Sequence, residues 1–166
     1  MYSLWNKIMW GGEPDEVNVV TGLSRRDVYK IKTSWAVMYA DAEKYGMELF
    51  FGLFRLNPET KTFFKTIRHL SEEEIKQSVQ FRAHVINLMT SLHTAVMHLH
   101  QPELVIALMN KLGETHKKRR VETKHFNQLK EVLANILTNQ MNANEELVAS
   151  WVRFVNFIYR HIFDKL

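Results

Sequence analysis

Between Phe81 and Leu99 the apolar residues Phe81, Val85, Leu88, Leu92, Val96 and Leu99 stand at offsets of 4, 7, 11, 15 and 18 from the first. One face of an α-helix repeats in this way, and a strand with its period of two cannot keep those side chains together. Such a helix with one apolar side must bury it against neighbours. The chain supplies them. Val28, Ile31, Trp35, Tyr39 and Ala42 share helical spacing behind Ser24-Arg25-Arg26-Asp27, a serine cap with an acid three residues on. Leu49, Phe50, Phe51, Leu53, Phe54 and Leu56 are apolar all round, which places their helix centrally. Pro58 sits at the first position of a short helical turn running to Phe64. A polar stretch, HLSEEEIKQ, leads into the long helix. Pro102 opens a helix carrying Leu104, Leu108 and Leu112. Thr123 can cap the next, with Phe126, Leu129 and Leu133, and Asn144 the last, with Leu147, Trp151, Val155, Ile158 and Ile162. No segment alternates as a strand does between hairpin turns. The expected fold class is all-α, with seven to eight helices.

A length of 166 residues suits one domain. The turn-rich GGEPDEVNVVTG predicts a division into residues 1–22, a flexible extension, and residues 23–166, the folded domain. Hydrophobic residues make up 46% and charged residues 24%, an ordinary globular composition. The formal charge of +4 is too small to argue for nucleic acid. With no cysteine, the chain has no disulfide, thiol nucleophile or thiolate metal ligand. No apolar run approaches the roughly 18 residues of a membrane span. Ser3, Asn6 and Lys7 break the start too often for a secretory segment, and Tyr2 departs from the myristoylation pattern. These readings point to the cytoplasm. Leu4, Trp5, Ile8 and Met9 make a small apolar face that could touch a membrane or a second subunit of a homodimer, and a frayed tail is the favoured alternative.

Two histidines lie on apolar faces of different helices. His84 is three residues after Phe81 and four before Leu88, while His116 is four beyond Leu112. Either alone reads as a core histidine satisfied by a carbonyl. Together, in apolar walls, they point to one shared buried object. A bare zinc ion would lack ligands here, since no thiolate or carboxylate shares those faces. A flat apolar cofactor with its own equatorial ligands needs one axial imidazole and can use a second, which describes haem.

With Trp35, Gly46, Phe54, Pro58, Phe64, His84 in FRAHVINLM, His116 and Trp151 in this order, the chain from about Leu23 onward resembles the globins. The stretch LHTAVMHLHQPELVIALMNKLGETHKKRRV resembles intracellular globins of molluscs and insects. The resemblance implies the globin fold, helices sandwiching a buried haem b whose iron binds O2, CO or NO. It implies His116 as the proximal iron ligand and His84 as the distal residue, able to become a sixth ligand. Phe64 would stack on the haem, with Phe50 in the distal wall and Leu88 above the iron. Leu112, Val121 and Phe126 would complete the cofactor's contacts. Leu112's carbonyl or Thr115 could orient His116. In the basic run Lys117-Lys118-Arg119-Arg120, Arg120 and Lys117 are the candidates for pairing haem propionates, with Lys118 and Arg119 turned to water. The run also matches a nuclear-localisation pattern, but no aromatic interleaves it as nucleic-acid binding would want. Val85 at the Gly46 crossing predicts a loose approach of two helices, which with a mobile lead-in favours His84 reaching the iron. The function implied is reversible O2 binding for storage, facilitated diffusion or supply to an oxygen-demanding tissue. The alternative is NO dioxygenation or gas or redox sensing, which needs an external reductant; an enzyme is not the first expectation. His93, His98 and His100 could make a surface metal site for which no further ligand is evident, and His69, His125 and His161 read as surface or edge residues.

Overall fold

A computed structural model describes residues 4–166. Its first three positions, which include Tyr2 and the start of the apolar N-terminal segment, lie outside the described residues. The described residues form eight α-helices and one 3₁₀ turn, and no strand. They are α1 (Leu4–Trp10), α2 (Arg25–Ala40), α3 (Ala42–Leu56), the 3₁₀ turn Pro58–Phe63, α4 (Glu72–Gln77), α5 (Val79–Met97), α6 (Pro102–Lys117), α7 (Thr123–Gln140) and α8 (Glu145–Phe163). None is long and apolar enough to cross a membrane.

The caps follow from side-chain chemistry. Ser24 accepts from the Asp27 N–H while Asp27 accepts from the Ser24 N–H, and Asn144 accepts from the Leu147 N–H. The polar HLSEEEIKQ stretch is not an open lead-in. Ser71 and Glu74 form the same reciprocal cap, and Ile75, 2% exposed, anchors the short α4. Periodicity misses α4 because six residues are too few to show it.

Helix α3 lies at the centre, crossing α5 on one side and α7 on the other, while α6 and α2 lie against α8. At the α3–α5 crossing a Cβ on Gly46 would come within 2.6 Å of Val85 Cγ1 and 2.9 Å of Met89 Cγ. The expected looseness is therefore corrected: Val85 and Met89 are fully buried and fill the space that glycine leaves. Helix α6 also differs from its single expected stripe. Val105, Met109 and Gly113 form the face buried against α8, Leu108, Leu112 and His116 form a second half-buried face, and Leu104 is 40% exposed. Two core clusters result, one around Trp35, Trp151 and Phe154, the other around Phe50, Phe54, Ile67 and Phe81. Residues 11–24 run back along α2. Pro14 is buried there, its carbonyl accepts from the Arg26 N–H, and Asp15 takes two hydrogen bonds from the Arg26 guanidinium.

Candidate functional site

A cavity of about 470 Å³ opens between α5, α6 and the start of α7, within the range usual for ligand sites. Phe50, Phe64, His84 and Leu88 line it on one side, and Leu112, His116, Val121 and Phe126 on the other. Of the residues proposed from sequence, the two candidates for pairing propionates, Lys117 and Arg120, are not in the wall. Arg119, expected to turn to water, is exposed and also borders the cavity. The difference arises because α6 runs on to Lys117 and the chain then turns sharply. The Arg120 N–H donates to the Lys117 carbonyl, and Arg120 takes a left-handed φ of 59°.

His116 is fixed by its own helix. Its Nδ1 lies 2.9 Å from the Leu112 carbonyl, so Nδ1 carries the proton and donates, and Nε2 keeps its lone pair. Thr115 instead donates to the Lys111 carbonyl and takes no part. The Phe126 ring backs the imidazole at 5.2 Å. His84 is held differently, between the Phe64 ring at 4.9 Å and the Phe50 ring at 5.2 Å. Phe81 packs on both of those rings, so the clamp is itself buttressed. Among the described residues neither ring nitrogen of His84 has a hydrogen-bond partner, yet no buried side-chain nitrogen or oxygen is left unsatisfied. Its free nitrogens therefore reach accessible space. Burial lowers the His84 pKa, and the facing His116 and Arg119 lower it further. Burial likewise lowers that of His116 against the support of the Leu112 carbonyl. Both imidazoles are neutral near pH 7, the form that ligates a metal.

The donor set fits haem. Two neutral imidazoles meet in a cavity whose wall is aromatic and aliphatic, and no three His, Asp or Glu side chains gather among the described residues to hold a bare ion. Thr66, Gln80, Asn87, Ser91 and Arg119 add polar groups to the same cavity's lining, suited to a cofactor with an anionic edge.

Sequence reasoning missed His125. It is 7% exposed, lines the cavity, accepts from the Glu122 N–H at 3.0 Å through Nδ1, and meets the Phe63 ring edge-on at 4.9 Å. Glu122, not Thr123, is thus the capping residue of α7. The signal was present as an acid-x-x-His pair at a helix start, with histidine in the glutamate position of a capping box. His93 also has a role in the core, accepting from Trp35 Nε1 at 3.0 Å and stacking on Tyr39.

The family model described as Globin matches residues 47–162. The chain is 31% identical over 136 residues to cytoglobin-2 of Danio rerio, covering 80% of this chain and 76% of that protein. It is 26% identical to the globin-2 A chain of Anadara inaequivalvis over 77% of this chain and 85% of that one. Among solved structures, the hexa-coordinate hemoglobin of Drosophila melanogaster superposes with a TM-score of 0.80 at 26% identity, over 85% of this chain and 94% of that one. Residues 47–162, matched by the family model, include both histidine-bearing helices and the aromatic clamp. This chain belongs to the globin family, with haem b as its cofactor.

Proposed function

We propose that the protein binds O2 reversibly at a haem iron held by His116, with His84 as a displaceable sixth ligand. The observation that carries this reading is the pair of imidazole nitrogens without protein partners, Nε2 of His116 and a ring nitrogen of His84, lining one apolar cavity. Haem supplies an iron centre that takes small diatomic ligands. The chain supplies the rest. The Leu112 carbonyl fixes the tautomer of His116 and strengthens it as a ligand. Phe50, Phe64 and Leu88 exclude water, which slows oxidation of the reduced iron. His84, aligned by two rings and not by a hydrogen bond, is free to ligate or to stand aside and donate to a bound gas. A loose α3–α5 crossing no longer supports the six-coordinate form. The aromatic clamp does, because it holds the ring on the cavity without occupying either nitrogen. The Drosophila melanogaster hemoglobin that superposes on this chain is itself hexa-coordinate, which supports the same reading.

Competition by His84 lowers apparent affinity by the fraction of open sites. CO and NO are the further ligands of this site. NO dioxygenation with an external reductant is the second reading, favoured by a site held by an internal ligand between turnovers. The cysteine-free composition supports a cytoplasmic setting. Carbon monoxide binding to the reduced protein tests the proposal. Its rate should level off with increasing CO at the rate of His84 release, and His84→Leu should remove the plateau. A wild-type rate that stays linear in CO contradicts it.

A further inference from the structure

The net charge of +4 is not spread over the chain. Between Lys111 and Lys124 stand Lys111, Lys117, Lys118, Arg119, Arg120 and Lys124 against Glu114 and Glu122. Taking these six from 22 basic residues and these two from 18 acidic ones leaves 16 of each sign elsewhere. The whole surplus therefore sits in one short segment, at the end of α6 where Arg119 borders the cavity. The four consecutive cations are exposed and join no ion pair among the described residues, whereas Arg26, Lys30, Arg55, Lys76, Arg82 and Arg153 each do. Their backbone is set, since Arg119 N–H donates to the His116 carbonyl and Arg120 N–H to that of Lys117. Two haem propionates would neutralise at most two of the four.

We propose that Lys117, Lys118, Arg119 and Arg120 form a docking surface beside the cavity for an acidic electron-donor protein, one whose reduced flavin or haem lies near a rim of carboxylates. The inference rests on the haem reading above. An unpaired positive field at one place steers an anionic surface to that place. A folded protein seated there cannot enter the cavity, so an electron is what it can exchange with the pocket. One electron leaves the donor's cofactor and converts ferric to ferrous iron, with no bond made or broken. A second copy of this chain is disfavoured, because the same charges would face each other. A bilayer is disfavoured by placement. The exposed Leu4, Trp5, Ile8 and Met9 belong to α1, whose Met9 and Trp10 share a groove with Leu99 and His100 at the opposite end of α6. Sixteen residues of helix separate the two ends by roughly 24 Å.

The test uses the haem-loaded protein and flavodoxin, an acidic one-electron flavoprotein. Lys117→Glu with Lys118→Glu brings the 111–124 segment to neutrality while sparing Arg119, and the paired glutamine substitutions give the half-way case. Flavodoxin affinity measured by calorimetry at low salt should fall about tenfold in the glutamate variant, less in the glutamine variant, and in wild type at about 0.3 M salt. Reduction by the anionic iron(II)–EDTA complex should slow while reduction by cationic hexaammineruthenium(II) quickens. The Soret band should stay unchanged. Unaltered flavodoxin affinity, an equal loss on reversing Lys32 and Lys44, or tighter binding to phosphatidylserine vesicles than to flavodoxin each overturns the proposal. Failure to take up haem at all would sink the haem reading instead, and the Soret band shows that before any partner is added.

Discussion

Asp27 serves two helices at once. Its carboxylate accepts from the Ser24 N–H and hydroxyl at the start of α2, and from Ser150 and Arg153 on α8, each of those two at 2.6 Å. Burial works to raise its pKa, but the donors from Arg153, Ser150 and Ser24 prevail and hold it well below the usual carboxylate range. A depressed pKa of this kind contributes stability that is complete above the unfolded value, about 3.9, and is lost as pH falls through the folded value. Asp27→Asn should therefore cost about 2–3 kcal/mol at neutral pH in urea unfolding, with the gap to wild type closing in strong acid. An undiminished gap there would contradict the assignment. His116 makes the complementary case for function. His116→Ala should keep helix content yet lose most haem, measured by the ratio of Soret to protein absorbance. Wild-type haem content in that variant would remove His116 from the ligand set.

Among the elements, the α6–α7 corner is the most informative. The His125 cap ties the start of α7 to the 3₁₀ turn through Phe63, and both border the cavity. Burial pushes its pKa down and Lys124 adds to that, against Glu122 and Glu59, so the folded state prefers the neutral ring. Protonation takes the Nδ1 acceptor from the Glu122 N–H. A lowered histidine pKa means stability is full above about 6.5 and declines as pH falls towards the folded value. His125→Gln keeps an acceptor that does not titrate, so it should flatten this acid decline in the apoprotein's thermal stability. An unchanged slope would exclude the cap as its source. Crossings carry stability too. A Cβ on Gly113 would collide with the Ile162 carbonyl of α8, so Gly113→Ala should cost about 1–3 kcal/mol in urea unfolding. The helices themselves were legible because Phe81 to Leu99 and Leu147 to Ile162 repeat long enough to fix a face. Helix α4 and the Arg119–Arg120 turn were not, since one is too short for periodicity and the other is decided by a left-handed residue that no pattern announces.

For the whole molecule, the large core joins α2, α5, α6, α7 and α8, and the cavity takes its walls from both clusters. Because residues 11–24 touch α2 and not the cavity wall, deleting residues 1–22 should leave haem uptake intact. The loss of the buried Pro14 and Thr21 contacts should cost on the order of 1 kcal/mol, seen as a lower melting temperature. Loss of haem on that deletion would tie the extension to the site. The histidine pair was readable because each ring interrupts an apolar stripe. Which histidine nitrogens stay free was not, because that depends on the Leu112 carbonyl and on rings from three separate elements. The central claim is that His84 and His116 share one iron. The visible spectrum of the reduced, ligand-free protein tests it most directly. Two sharp bands that His84→Leu abolishes are expected; a single broad band near the middle of the visible, unchanged by that substitution, would contradict it.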